Sequence, residues 1–244
     1  MIRNMMLGGI GVKHGDILYD TDAQPAAVIT GSWHSEGKEP WNIRGRRVWI
    51  AVGLASVRGI SYTWCSGTVS SAAGCKYDLP FVENPSTRWK LAETNMDHDG
   101  SGSHVSTQST EMHMDQSFQY SQTVKDSEEL TSSMISYNKL MRAANFCRKI
   151  TLEGLGTMDL PSIDVLMRIY QARTIIDALD PTASANYQKK LVSWGFGSQD
   201  GDRVWSSSEY NINGGWSVTK KGLVSSFAKY DLIGVIPVKE IDAR

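Results

Sequence analysis

Arg203-Val-Trp205-Ser-Ser-Ser-Glu209-Tyr210-Asn211-Ile-Asn213-Gly-Gly-Trp216-Ser-Val-Thr-Lys220-Lys221-Gly222 is the stretch that decides how this chain is read. Its two tryptophans lie eleven residues apart, with the polar turn Asn211-Ile-Asn213-Gly214-Gly215 between them. A second turn, Lys220-Lys221-Gly222, follows, and the apolar run Leu232 to Val238, broken by Pro237, closes the segment. Paired glycines permit positive φ at a hairpin tip, so the flanking β-prone runs are expected to pair as short antiparallel strands. Trp205 marks the core side of these strands, and the Asn, Lys and Ser residues decorate the other. The stretch reads as a platform for display.

Upstream, Tyr137, Leu140, Met141, Ala144 and Cys147 recur at three- and four-residue spacing and predict a helix near 134–150. Lys139, Arg142, Arg148 and Lys149 fall off that stripe. Beyond Gly154 and Gly156, Ser162 is placed to cap a second helix over 162–179, with Asp164 in its first turn where the helix dipole favours an acid. Ile163, Leu166, Ile169 and Tyr170 form its buried face, and Asp180-Pro181 ends it.

These segments resemble the C-type lectin-like domain of the formylglycine-generating-enzyme subtype. The resemblance rests on the box Trp205-Ser206-Ser207-Ser208-Glu209-Tyr210 with Trp216 and Pro237-Val238 after it. It rests also on Ala143-Ala-Asn-Phe146-Cys147 and Leu160-Pro-Ser-Ile-Asp-Val-Leu166, in the family's order of helix, helix, hairpin. It covers roughly residues 130 to 240, and the first 55 more loosely through Gly15-Asp-Ile-Leu-Tyr19-Asp. Three departures stand out. Val235-Ile236-Pro237 lacks the family's arginine before the proline, Trp216-Ser-Val-Thr-Lys220 lacks its aromatic alternation, and Asp164-Val165 displaces its helix glutamate. The resemblance implies an α+β fold with two helices and a small twisted antiparallel sheet. It divides the chain into residues 1–55, an N-terminal β-hairpin region and candidate attachment piece, and residues 56–244, the lectin-like domain.

The rest of the chain is less patterned. Asp16-Ile-Leu-Tyr19, Ala26-Ala-Val-Ile29 and Val48-Trp-Ile-Ala-Val52 read as short strands, the first two around the turn-forming Asp20-Thr-Asp22. Arg44, Arg46 and Arg47 read as charge blunting a strand edge rather than as an anion site. From Ser56 to Ser127 the composition is that of long loops, pinned by Trp64, Tyr77, Phe81 and Trp89. Within them, Asn95, Asp97 and Asp99 followed by Gly100 open like a calcium loop, but Ser106 stands where the closing glutamate belongs, so an Asx-rich turn is expected. His98, His104, His113 and Asp115 show no metal-ligand spacing. Of the three cysteines, Cys65 and Cys75 could close a loop, although two thiols ten residues apart are more often free, and Cys147 is expected to be a small buried residue. A net charge of −1 gives no electrostatic reason to expect nucleic acid, and no apolar run is long enough to span a membrane.

Function is read from sites, since one fold hosts unrelated activities. Relatives implied by the resemblance are phage tail and adhesion proteins, and variable proteins of diversity-generating retroelements in gut Bacteroidetes and their phages. They imply a non-enzymatic virion component, assembled in the host cytoplasm, that binds a host-surface protein or glycan, or other virion proteins, and forms a homo-oligomer. The contact surface is expected on Tyr210, Asn211, Asn213, Trp216, Lys220, Lys221, Ser225, Lys229 and Tyr230, where Asn and Ser donate and accept, lysines carry charge and aromatics give stiff contact area. A purely structural virion subunit and a bacterial surface adhesin are the alternatives, the latter disfavoured because the first residues make a poor export signal. An oxidase of the formylglycine-generating type needs a thiol pair in the C-terminal half together with copper. No cysteine follows Cys147, and no nucleophile–base set is visible, so no catalytic residue, cofactor or metal is expected.

Overall fold

The computed structural model describes residues 11–43, 46–65, 127–137, 141–185, 189–194, 202–211, 214–222 and 224–243. The elements run β1 (Ile17–Tyr19), β2 (Pro25–Thr30), β3 (Trp41–Ile43), β4 (Arg46–Gly53), β5 (Gly59–Tyr62), α1 (Ser127–Tyr137), α2 (Arg142–Arg148), β6 (Thr151–Leu152), β7 (Gly156–Thr157), α3 (Ile163–Leu179), β8 (Arg203–Asn211), β9 (Gly214–Thr219), β10 (Val224–Ala228), β11 (Ile233–Val235) and β12 (Val238–Asp242). Sheet one has the order β1-β2-β4-β12, with β3 also on β4, and sheet two the order β10-β9-β8-β11-β5. The fold is mixed α+β.

Local chemistry explains the N-terminal hairpin. Asp20 Oδ1 accepts from the amides of Asp22 and Gln24 at 3.0 and 2.8 Å, an Asx turn that reverses the chain between β1 and β2. Strand β2 then lies inside sheet one, and Ala26 to Ile29 are fully buried. Alternate residues of β4 enter different clusters: Val48, Ile50 and Val52 face α3, while Ala51 packs with Ala27, Ile29 and Met158. The strands of residues 1–55 do not form a sheet of their own, because β4 pairs with β12 from Val52↔Val238 to Val48↔Asp242. Arg46 and Arg47 open a strand with neighbours on both sides rather than an edge, and Arg46 reaches Asp242 of β12 at 2.6 Å.

Helix α3 lies at the centre. Ser162 caps it, its Oγ accepting from Val165 N at 3.4 Å, and Asp180 ends it in an extended conformation (φ −83°, ψ 105°) before Pro181. Ile163 to Tyr170 are buried without a break, wider than the single face expected, because α3 packs against both sheets. Val28 and Val52 of sheet one and Val204 and Val218 of sheet two share its cluster.

The single helix expected near 134–150 is two. Met141 interrupts it at ψ 86°, and α2 restarts where Ala143 N donates to Thr63 O at 3.1 Å. Met141, Ala144 and Cys147 are buried, as their spacing predicts. Sheet two is also not wholly antiparallel: β11 runs parallel to β8 at Gly234↔Val204. The chain reaches that position through β10 and a turn at Lys229–Asp231, which brings β11 in beside β8 in the same direction. Cys65 is disulfide-bonded rather than free, with Cys75 outside the described residues, and Cys147 is a buried free thiol.

Candidate contact face on the C-terminal hairpins

Strands β8, β9 and β10 form an antiparallel meander with Trp205 opposite Ser217 and Ser217 opposite Ser225. Val204, Val218 and Val224 point to α3, and Trp205 and Phe227 point to the opposite cluster with Trp64, Met141 and Cys147. Both faces of β8 and β9 are therefore packed, whereas β10 is partly exposed along its length.

Between Trp205 and Glu209 the ladder loses register, and the three serines of the box serve other partners. Ser206 O accepts the Trp64 indole N–H at 2.7 Å, and Ser206 Oγ lies 2.8 Å from Trp216 O as its donor. Ser207 N donates to Pro161 O at 2.8 Å. Ser208 Oγ accepts the first-turn amide of α3, Ile163 N, at 3.1 Å. Ser206 and Ser207 are fully buried, and the Ser206 hydroxyl meets the demand that burial makes on a polar group through its bond to Trp216 O. Two more indoles act as Trp64 does: Trp205 Nε1 donates to Tyr62 O at 2.8 Å, and Trp194 Nε1 to Val218 O at 3.0 Å. The bulged strand is thus tied at several points to β5 and α3.

The turn after β9 is fixed from below. Tyr170 OH donates to Lys220 O at 3.1 Å, and Lys220 N donates to Asp202 O at 2.7 Å. Gly222 has φ +77°, and a Cβ there would lie 2.5 Å from Tyr170 Cε1, so only glycine fits. Lys220 and Lys221 are exposed at the tip, with Lys220 Nζ 2.9 Å from Asp202 Oδ2. Arg203 of β8 lies over the Phe227 ring of β10 at 3.5 Å, across the intervening β9.

The nine residues expected on the contact surface separate into three groups. Lys220 and Lys221 are exposed, and Ser225 and Tyr230 are half-buried. Trp216 and Lys229 are buried and are corrected out of an open face. Trp216 shares a strand face with Val218 against α3, and the Lys229 ammonium lies 4.8 Å from the Trp64 ring centre, a cation–π contact inside the fold. The reason is that β9 is covered on both sides, so strand alternation there separates two cores instead of core from water, while Lys229 sits in the turn after β10 and folds back over Trp64. The side chains of Tyr210 and Asn211, and all of Asn213, lie outside the described residues, as does Glu209's side chain. So do Asn95, Asp97, Asp99, His98, His104, His113 and Asp115.

Two buried ionic groups brace the platform. Arg58 donates to Gly53 O at 2.7 Å and Lys189 O at 2.8 Å, and pairs with Asp177 at 3.4 Å and Asp180 at 3.2 Å. Burial lowers its pKa, and the two carboxylates oppose that. Asp159 faces Arg148 at 2.9 Å and Lys239 at 3.6 Å, yet burial outweighs both cations and raises its pKa to about 6. The Cys147 thiol is pushed well up, first by burial and then by Asp159. Sequence patterns do not disclose either group, since Arg58 and Asp177 are 119 residues apart and long-range pairing leaves no local signal.

No protein-family model, curated protein or solved structure matches the chain. Among the described residues, no helix is long and apolar enough to cross a membrane, and no three His, Cys, Asp or Glu side chains group as metal ligands.

Proposed function

We propose that this chain is a non-enzymatic virion protein of C-type lectin-like fold. It contacts a host-surface ligand or a neighbouring virion protein through the tip of its C-terminal hairpins. The observation that carries this reading is the Lys220-Lys221-Gly222 turn, which presents two exposed lysines on a backbone held by Tyr170 and Asp202. A turn ordered in advance loses little conformational entropy on contact, which suits recognition. The residues that carry the family resemblance support the same reading: Trp205 and Ser206 tie the bulged strand to the β5 side through Tyr62 and Trp64, and Ser207 and Ser208 tie it to Pro161 and the first turn of α3, which Ser162 caps.

A second reading, a virion subunit that uses the fold as a building unit, draws on the burial of Trp216 and Lys229. Their loss leaves a smaller and more polar tip, without a central aromatic anchor among the described residues. Imaging assembled particles separates the two. The β9–β10 turn pointing outward supports receptor contact, and the same turn buried against another subunit supports the building-unit reading. Absence of the chain from particles overturns both.

A further inference from the structure

A cleft of about 500 Å³ opens beside β5, away from the β9–β10 turn and independent of the function proposed for it. Among the described residues β5 is the terminal strand of sheet two, and none of their strands pairs with its outer side. The walls are largely apolar, with Ile60, Tyr62, Phe146 and Ile150 along them. Tyr62 and Phe146 lie with ring centres 4.4 Å apart and planes tilted by 39°. Gly59 makes that wall possible, because a Cβ there would come within 2.7 Å of Tyr62 and 3.1 Å of Phe146.

The charges at the cleft are unevenly satisfied. Arg58 is consumed by the contacts already given, and the oxygens of its two carboxylates are also taken from other sides. Asp180 accepts from Ala55 N at 2.7 Å and from Thr182 N and Oγ1 at 2.8 and 2.7 Å. Asp177 accepts from Leu191 N and Val192 N at 2.9 and 2.8 Å. Lys189 lines the same cleft, and no acid pairs with it among the described residues. Burial first, and Arg58 second, work against its charge. A cation in that position is stabilised by any anion brought to it.

We infer that this cleft binds a small carboxylate carrying an aromatic or branched apolar body, with the body against Tyr62 and Phe146 and the carboxylate on Lys189. The volume falls in the range of small-molecule sites, which are mostly apolar with a few polar groups fixing orientation. A charge-assisted hydrogen bond in apolar surroundings gives the carboxylate its advantage over an uncharged ligand of equal shape.

Phenylacetate titrated into the full chain, followed by the methyl resonances of Ile60 and Ile150, tests this directly. Saturable shifts of both are expected, with phenylacetamide bound about tenfold more weakly. Lys189→Met should erase the preference for the acid over the amide, and Lys189→Arg should keep it. The preference is a ratio measured within each folded variant, so a change in stability does not imitate it. No saturable shift, equal binding of acid and amide, or a preference that survives Lys189→Met would each overturn the assignment.

Discussion

The indole N–H of Trp64 donates to the carbonyl of Ser206 across 2.7 Å, and one residue away the indole of Trp205 donates back to Tyr62 O across 2.8 Å. This reciprocal pair joins the chain entering from β5 to the bulged box of β8. Each tryptophan fills the core beside the carbonyl that the other's strand presents. The bulge takes Ser206 out of the regular β8–β9 register, and the Trp64 indole satisfies its buried carbonyl.

Trp64→Phe should therefore keep most of the packing and lose one buried donor, leaving Ser206 O unsatisfied. A loss of about 1–3 kcal/mol is expected in denaturant unfolding. Trp205→Ala removes a fully buried aromatic and should cost about 3–5 kcal/mol. Parent-like unfolding midpoints in both would show that the box is not the core element described.

Arg58 holds Asp177 and Asp180 in a site where its side chain is wholly buried. Arg58→Met strands two carboxylates and should cost about 3–5 kcal/mol. Adding Asp180→Asn to that variant should recover part of the loss, since it removes one of the unmatched charges. A double variant no more stable than Arg58→Met would mean that packing, not charge, dominates there.

Asp159 predicts a pH dependence of definite sign. Its folded pKa of about 6 exceeds the ordinary value of 3.8, so the folded state binds the proton more tightly than the unfolded chain. The contribution to stability is full below about pH 4 and is lost as pH rises through about 6, by roughly 3 kcal/mol at most. Other carboxylates act in the opposite direction on acidification, so the comparison is with Asp159→Asn. Between pH 7 and pH 4.5 the parent should gain stability relative to this variant. Parallel stability–pH curves for the two would contradict the assigned shift.

Much of the architecture was legible in the chain. Ser162 at the start of α3, Asp180-Pro181 at its end and the Asp20 turn are local devices, and local spacing discloses them. Trp205 was legible as core because it sits in a patterned strand. What was not legible depends on long-range placement. Trp216 reads as a display residue in the sequence but is covered by α3, and Lys229 reads the same way but lies over Trp64. The break before α2 follows from Thr63 O receiving Ala143 N, a contact between residues 80 apart that no helical stripe encodes.

The central claim is that the β9–β10 tip makes the functional contact, and adsorption of assembled particles carrying Lys220→Ala and Lys221→Ala together tests it most directly. Both lysines are exposed, so the variant should unfold within about 0.5 kcal/mol of the parent per substitution. Attachment to host cells, or docking of the purified chain to its partner subunit, should fall at least tenfold. Undiminished attachment and docking, with the fold intact, would contradict the claim and remove this tip from the functional surface.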